Sequence, residues 1–159
     1  MASATFVPGT NSANDDQGHG THVAGTILAR QNGIGVVGVA PRAHLMRAKV
    51  LSRTGSGTDA QVAAGIVWAV NNGARIINLC LGSAASSAVI DRAVAYARSR
   101  RVAICAAAGN ESTPTRCAPV IFPARNPLCI AVAATDERNR KAVFSCCTSS
   151  MLEGDMPLC

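Results

Sequence analysis

Short apolar runs alternate with helical patterns along this chain, and this alternation limits the possible folds more than any other feature of the sequence. A β-branched run at residues 75–81 precedes a helical pattern at 87–100, and a second apolar run follows at 102–108. A strand, a helix and a strand in this order form a right-handed crossover with parallel strands. We therefore expect a parallel sheet that packs against helices.

Similar elements lie on both sides of this unit. A strand is predicted at residues 44–51, and a helix at residues 59–73 has apolar residues at i, i+4 spacing and a terminal glycine. Residues 19–30 predict a helix rich in glycine and alanine, a composition that indicates close packing and burial. Two more strands are predicted at residues 128–134 and 142–145.

The composition favours the same class of fold. Hydrophobic residues make up 48% of the 159 residues, but aromatic residues make up only 3%. The core therefore consists mainly of alanine, valine, isoleucine and leucine, as in parallel sheets covered by helices. The length suits one domain, and we expect an α/β fold.

The net charge of +6 and the pI near 9.3 are compatible with a nucleic-acid-binding surface. The densest basic runs, at residues 98–101 and 138–141, contain no aromatic residues on which bases would stack, so no nucleic-acid partner is expected. The sequence has no run of eighteen apolar residues, and we expect no membrane span. Its N-terminus lacks the basic and apolar regions of a signal peptide.

The seven cysteines do not form a recognisable metal or redox pattern, because no two have C-x-x-C spacing. Cys80 and Cys105 lie in predicted strands, where we expect them to be buried as small apolar side chains. Cys117 and Cys129 border a proline-rich loop and could form a disulfide.

The strongest chemical signal is the sequence GHGTHVAGT at residues 18–26. It resembles the histidine block of the subtilisin-like serine proteases, and the resemblance assigns His19 as the general base. An imidazole suits this role because its pKa lies near neutrality. The resemblance also implies that His22 is a buried hydrogen-bonding residue. A zincin site would need a glutamate between the two histidines, and none is present.

A second block, AAAGNE at residues 106–111, resembles the oxyanion segment of the same family. The resemblance implies that the side-chain amide of Asn110 donates a hydrogen bond to the oxyanion of the transition state. It also places Ala107 and Gly109 among the substrate-binding residues.

Two further segments resemble those that pair with an extended peptide substrate in this family. They consist of Gly55, Ser56 and Gly57, and of Cys80, Leu81 and Gly82. Backbone groups would hold the peptide, which accounts for the small residues. Cys80 stands where the family commonly has serine. Blocks at residues 122–124 and 143–145 extend the resemblance over most of the chain.

The resemblance implies a three-layer α/β fold, incomplete here, with a mostly parallel sheet and helices on both faces. Residues 1–145 would form a partial subtilisin-like peptidase domain. Residues 146–159 show no periodicity and are expected to be a divergent, disordered tail. The family also implies a peptide or protein substrate in extended form, and secretion.

The glycine-rich loop at residues 33–38 fits the pattern G-x-G-x-x-G. A dinucleotide fingerprint follows a strand and opens a helix, whereas this loop follows a predicted helix. It resembles the calcium loop of the family instead, with ligands from the Asn32 side chain and the carbonyls of Arg30, Ile34 and Val36. Calcium takes six to eight oxygens, which this loop cannot supply alone. No cofactor is required for the expected chemistry.

The other two members of a catalytic triad are not expected in this chain. In the subtilisin order an aspartate precedes the histidine by roughly thirty residues, and a serine follows it by about 150. Only eighteen residues precede His19, and TSSM at residues 148–151 lacks the glycine of the serine motif. We therefore expect a serine endopeptidase domain that is inactive as given, or alternatively a non-catalytic peptide-binding module.

Overall fold

The computed structural model describes residues 2–148, and the chain divides into two compact units between Ala74 and Arg75. The first unit contains β1 (Ser3–Thr5), α1 (His19–Leu28), β2 (Arg47–Lys49) and α2 (Asp59–Asn71). The second unit contains β3 (Ile76–Leu79), α3 (Ala88–Ser99), β4 (Ala103–Ala107) and β5 (Ile130–Val132).

In the first unit, β1 and β2 form a parallel pair in which Ala4 lies opposite Ala48. α2 packs against this pair with a glycine at the point of closest approach. A Cβ atom added at Gly65 would clash with Cγ1 of Val50, so the absence of a side chain allows the helix to approach the end of β2.

The start of α2 is fixed by its sequence. Thr58 and Gln61 form a capping box, in which Oγ1 of Thr58 accepts the N–H of Gln61 and Oε1 of Gln61 accepts the N–H of Thr58 at 2.7 Å. The buried face consists of Val62, Ala63, Gly65, Ile66, Ala69 and Val70. Gly73 follows the helix with a φ of +86°, which glycine adopts without strain. The predicted helix at residues 59–73 is confirmed.

In the second unit, three parallel strands lie in the order β3-β4-β5. α3 packs against β4, and α3, β3 and β4 bury apolar side chains. These side chains include Ile77, Leu79, Ile90, Val94, Ala97 and Ile104. The predicted strand–helix–strand unit and the α/β class are confirmed.

Four predicted strands are present but shorter than their apolar runs, and the predicted strand at residues 142–145 is wrong. This segment is a turn, because the N–H of Ser145 donates to the carbonyl of Ala142 at 3.0 Å. Ser145 is buried, and its Oγ accepts the N–H of Ala134 at 3.0 Å. The apolar residues predicted a strand. In the structure the backbone N–H of Ala134 donates to the Ser145 hydroxyl instead of to a carbonyl of a neighbouring strand.

The prediction that α1 is buried is wrong for the described chain. None of its residues is buried, and a Cβ atom added at Gly25 would meet nothing within 4 Å. Small residues permit close packing only where another segment lies against the helix. Within residues 2–148, no segment packs against Gly25.

Two cysteines are less buried than predicted. Cys80 is exposed because it comes after the end of β3. Cys105 is half-buried, since the buried positions of β4 are its neighbours Ile104 and Ala106 and successive strand residues face opposite sides.

The disulfide partner of Cys117 is Cys147 and not Cys129, with Cα atoms 5.9 Å apart. The two segments meet because the N–H of Cys147 donates to the carbonyl of Ala118 at 3.0 Å. Cys129 is half-buried, and burial raises the pKa of its thiol to about 11. Cys146 and Cys147 are buried, whereas the remainder of the predicted tail, residues 149–159, lies outside the described residues.

One pair of identical substitutions tests the packing of the first unit. Gly65→Ala is expected to lower the free energy of unfolding by about 1 kcal/mol or more, because the added methyl group overpacks the contact with Val50. Gly25→Ala meets no atom and is expected to raise it by up to about 1 kcal/mol through helix propensity. Urea unfolding followed by circular dichroism measures both values. Stabilisation by both substitutions would contradict the packing described for α2.

Candidate active site

The histidine block lies at the capped start of α1. Gly18 is the N-cap residue, with a φ of +100°, and His19 is the first residue of the helix. The carboxylate of Asp15 accepts the N–H groups of Gly18 at 2.8 Å, Gln17 at 3.0 Å and Thr21 at 2.7 Å. The bond from Gly18 contributes most to a pKa of Asp15 well below its ordinary value. Asp15 is therefore a capping residue of α1.

His19 is exposed, and its turn lies beside a predicted substrate segment. The N–H of His19 donates to Oε1 of Gln17 at 2.9 Å. A Cβ atom added at Gly55 would lie 3.8 Å from Nε2 of the same glutamine. The first unit therefore brings the turn that precedes His19, through Gln17, close to the segment at residues 55–57.

Hydrogen bonds and close packing shape the turn at residues 55–57. The N–H of Gly55 donates to the carbonyl of Ser52 at 2.9 Å, and the N–H of Ser52 donates to the carbonyl of Ser56 at 2.8 Å. A Cβ atom at Gly57 would clash with the carbonyl oxygen of Val50. Position 57 therefore requires glycine, because backbone passes directly over backbone there.

An ion pair ties the histidine turn to the end of β2. The ammonium group of Lys49 pairs with the carboxylate of Asp16 at 2.5 Å, and the Lys49 side chain is only 8% exposed. Its hydrogen bond lowers the pKa of Asp16. This pair places residues 14–18 at the carboxyl end of the β1–β2 sheet.

His22 is exposed, so the prediction of a buried residue at this position is wrong. The cause is the same as for the rest of α1, which has no buried residue. The backbone carbonyl of His22 accepts the hydroxyl of Thr26 at 3.2 Å.

In the second unit, both remaining predicted segments lie at one edge of the sheet. Leu79, at the end of β3, is opposite Ala106 near the end of β4. The segment at residues 80–82 follows β3, and the exposed Asn110 follows β4 after the half-buried Ala107 and Gly109. Carboxyl ends of parallel strands share an edge, which is where ligands bind in open α/β sheets.

Gly82 is another position that excludes a side chain. A Cβ atom there would clash with Cδ1 of Ile121 and lie 2.8 Å from the carbonyl oxygen of Phe122. Ser83 and Phe122 exchange two backbone hydrogen bonds of 2.9 and 3.0 Å. The segment after β3 is therefore held against residues 121–122.

The loop at residues 33–38 lies between α1 and β2, so the context of a dinucleotide fingerprint is absent. Oδ1 of Asn32 accepts the N–H of Ile34 at 3.2 Å. Ile34 and Val36 are exposed, and residues 30–36 contain no carboxylate. Within residues 2–148, no group of three or more histidine, cysteine or acidic side chains could hold a metal ion. The donors of this loop therefore do not by themselves complete a calcium shell, and calcium binding remains a prediction.

Sequence reasoning missed four residues that shape these segments: Gln17, Lys49, Glu111 and Cys146. The Lys49 side chain is only 8% exposed, and a lysine inside an apolar strand run is a signal that its ammonium group needs a partner. Glu111 directly follows Asn110, whose N–H it accepts at 2.7 Å. Cys146 gave no local signal, because it is distant from Glu111 in the sequence.

Comparison with known proteins shows which family this chain resembles. The model of the Subtilase family matches residues 3–155. Subtilisin Savinase of Lederbergia lenta is 49% identical over 142 residues, which cover 89% of this chain and 51% of that protein. Subtilisin E of Bacillus subtilis is 44% identical over 149 residues, 93% of this chain and 39% of that protein.

A solved structure, that of Sphericase, superimposes with a TM-score of 0.81 at 38% identity and covers 91% of this chain and 52% of that one. This similarity confirms the predicted three-layer α/β fold. The chain belongs to the subtilase family of serine-type hydrolases. It spans about half the length of Savinase and of Sphericase.

The cap of α1 can be tested by substitution of Asp15. Asp15→Ala is expected to lower the free energy of unfolding by about 1 kcal/mol, whereas Asp15→Asn keeps one acceptor and loses less. Because the pKa of Asp15 is depressed in the folded state, its contribution is present above the ordinary pKa of 3.8 and is lost as the pH falls through the folded value. Urea unfolding at neutral and acid pH measures this. An Asp15→Ala protein as stable as the unaltered chain at neutral pH would contradict the capping role.

Proposed function

We propose that this chain is the histidine- and oxyanion-bearing part of a serine endopeptidase that hydrolyses peptide bonds by acyl transfer. The main support is the position of His19, exposed at a capped helix start beside the turn at residues 55–57. Membership in the subtilase family supports the same chemistry.

In this proposal, His19 accepts the proton of a serine hydroxyl and later donates it to the leaving amine. The Asn110 amide donates to the oxyanion that forms on the scissile carbonyl. Both side chains are exposed, as groups that must reach a substrate have to be. The reaction needs no cofactor.

The proposed substrate is a peptide or protein segment in extended form. Residues 55–57 and 80–82 would pair with it through their backbone groups, in the manner of added strands. The rigidity of both segments supports this mode. Hydrogen bonds fix the turn at residues 52–56, and the segment after β3 is held against residues 121–122.

We also propose that the protein is exported. The disulfide between Cys117 and Cys147 supports this, because disulfides persist mainly in oxidising compartments. No helix within the described part of the chain is long and apolar enough to cross a membrane.

A chimera tests the proposed chemistry. The matched segment of Subtilisin Savinase is replaced by the corresponding 142 residues of this chain. The chimera is expected to hydrolyse a peptide substrate. His19→Ala should lower its turnover by about a million-fold, the size established for subtilisin itself. Asn110→Ala should lower it about a hundred- to a thousand-fold, again the size established for subtilisin. A folded chimera whose hydrolysis is unaffected by His19→Ala would refute the role of His19.

The 159-residue chain alone is the matched control. We propose that it is inactive, because its sequence supplies neither the expected aspartate nor the expected serine. It should hydrolyse no peptide above background and react with no fluorophosphonate probe. Labelling of any serine in the chain would overturn this part of the proposal.

The alternative is a non-catalytic peptide-binding module. The observation that favours it is the construction of both substrate segments, whose turns are fixed by backbone hydrogen bonds within the chain itself. Such a module would bind an extended peptide without cleaving it, and the chimera described above would then fold without gaining activity from His19.

A further inference from the structure

The turn that presents Asn110 is fixed by groups from a distant part of the sequence. Gly109 has a φ of +110°, which favours glycine. Its carbonyl accepts the N–H of Cys146 at 3.0 Å, and the N–H of Ser112 donates to the carbonyl of Phe144 at 3.0 Å. Residues 144–146 therefore lie along the turn at residues 109–112.

The carboxylate of Glu111 lies at the centre of this contact. Its Oε2 atom accepts the backbone N–H of Asn110 at 2.7 Å and the thiol of Cys146 at 3.0 Å. A Cβ atom at Gly109 would clash with the same oxygen. The carboxylate can occupy this position only because residue 109 is glycine.

Cys146 has little freedom to move away from Glu111. It is fully buried, and the next residue, Cys147, forms the disulfide with Cys117. The N–H of Ala118 donates to Oγ of Ser112 at 2.9 Å, which joins this segment to the end of the same turn. The thiol of Cys146 is therefore a fixed donor.

We propose that Glu111 and Cys146 are positioning residues for Asn110: the Cys146 thiol orients the Glu111 carboxylate, which in turn fixes the backbone of Asn110. The inference rests on the proposed role of Asn110 as an oxyanion donor. An oxyanion donor must lie about 2.7–3.1 Å from the atom it stabilises, so a loose turn would weaken it.

The pKa of Glu111 depends on its hydrogen bonds to Cys146 and Asn110. The hydrogen bond from Cys146 is the main cause that lowers the pKa of Glu111 below its ordinary value of 4.5, with a smaller contribution from the N–H of Asn110. The titratable side chain that faces Glu111 is Cys146, whose own pKa is raised first by burial and then by Glu111. Cys146 thus remains a protonated donor at neutral pH.

The test is a pH titration of the Asn110 amide resonance in the ¹⁵N-labelled chain, from neutral to acid pH. The resonance is expected to follow the protonation of Glu111, with a midpoint below 4.5. In Cys146→Ala the midpoint should move up towards 4.5, and in Cys146→Ser, which keeps a donor, it should return towards the original value. Cys129→Ala removes a thiol from the same unit without touching the turn and should leave the midpoint unchanged.

Loss of the buried Cys146 thiol could prevent folding, so a second variant, Glu111→Gln, is included. Glu111 is exposed, and its substitution is therefore expected to leave the fold intact. In this variant the Asn110 resonance should no longer titrate. An unchanged midpoint in a folded Cys146→Ala protein, or an unchanged titration in Glu111→Gln, would overturn the proposal. The readout requires no hydrolysis, so an inactive chimera would leave this inference intact.

Discussion

The common direction of neighbouring strands decides where the candidate functional turns of this protein lie. In the second unit, β3 and β4 run parallel, so the segment at residues 80–82 and Asn110 leave the sheet at the same edge. In the first unit, the ion pair between Lys49 and Asp16 fixes the histidine turn to the carboxyl end of β2. In each unit the candidate site residues thus lie where the strands end, which is the usual location of ligand sites in open α/β sheets.

Glycine residues allow close packing in these turns. At positions 57, 82 and 109, an added Cβ atom would clash with backbone or with a neighbouring side chain. At positions 57 and 82 the atoms that exclude a side chain include backbone carbonyl oxygens, and we propose that these segments recognise a peptide through their main chain. The same constraint allows the carboxylate of Glu111 to reach the N–H of Asn110. The residue type at positions 57, 82 and 109 is therefore limited to glycine by the space available, and not by a chemical role of the side chain.

Local patterns predicted most of the fold, and long-range contacts account for the failures. The i, i+4 apolar spacing and terminal glycine of α2 and the apolar runs around α3 identified their elements because these signals lie within a few residues. The capping box at Thr58 was recognised only in the structure. The disulfide between Cys117 and Cys147 joins residues 30 positions apart, and no local pattern distinguishes it from a pairing with Cys129. For the site, the histidine and asparagine blocks were found by resemblance, but the contact between Glu111 and Cys146 depends on a turn that the sequence suggested was a strand.

The central proposal is that residues 55–57 in the first unit, and residues 80–82 in the second, each offer backbone hydrogen bonds to an extended peptide. Titration of a substrate-like peptide into the ¹⁵N-labelled chain measures this most directly. The amide resonances of Gly55 and Gly57 in the first unit, and of Cys80 and Gly82 in the second, should shift as peptide is added, and the same peptide with N-methylated amides should bind much more weakly. Equal binding of the methylated peptide, or shifts confined to other residues, would contradict the claim.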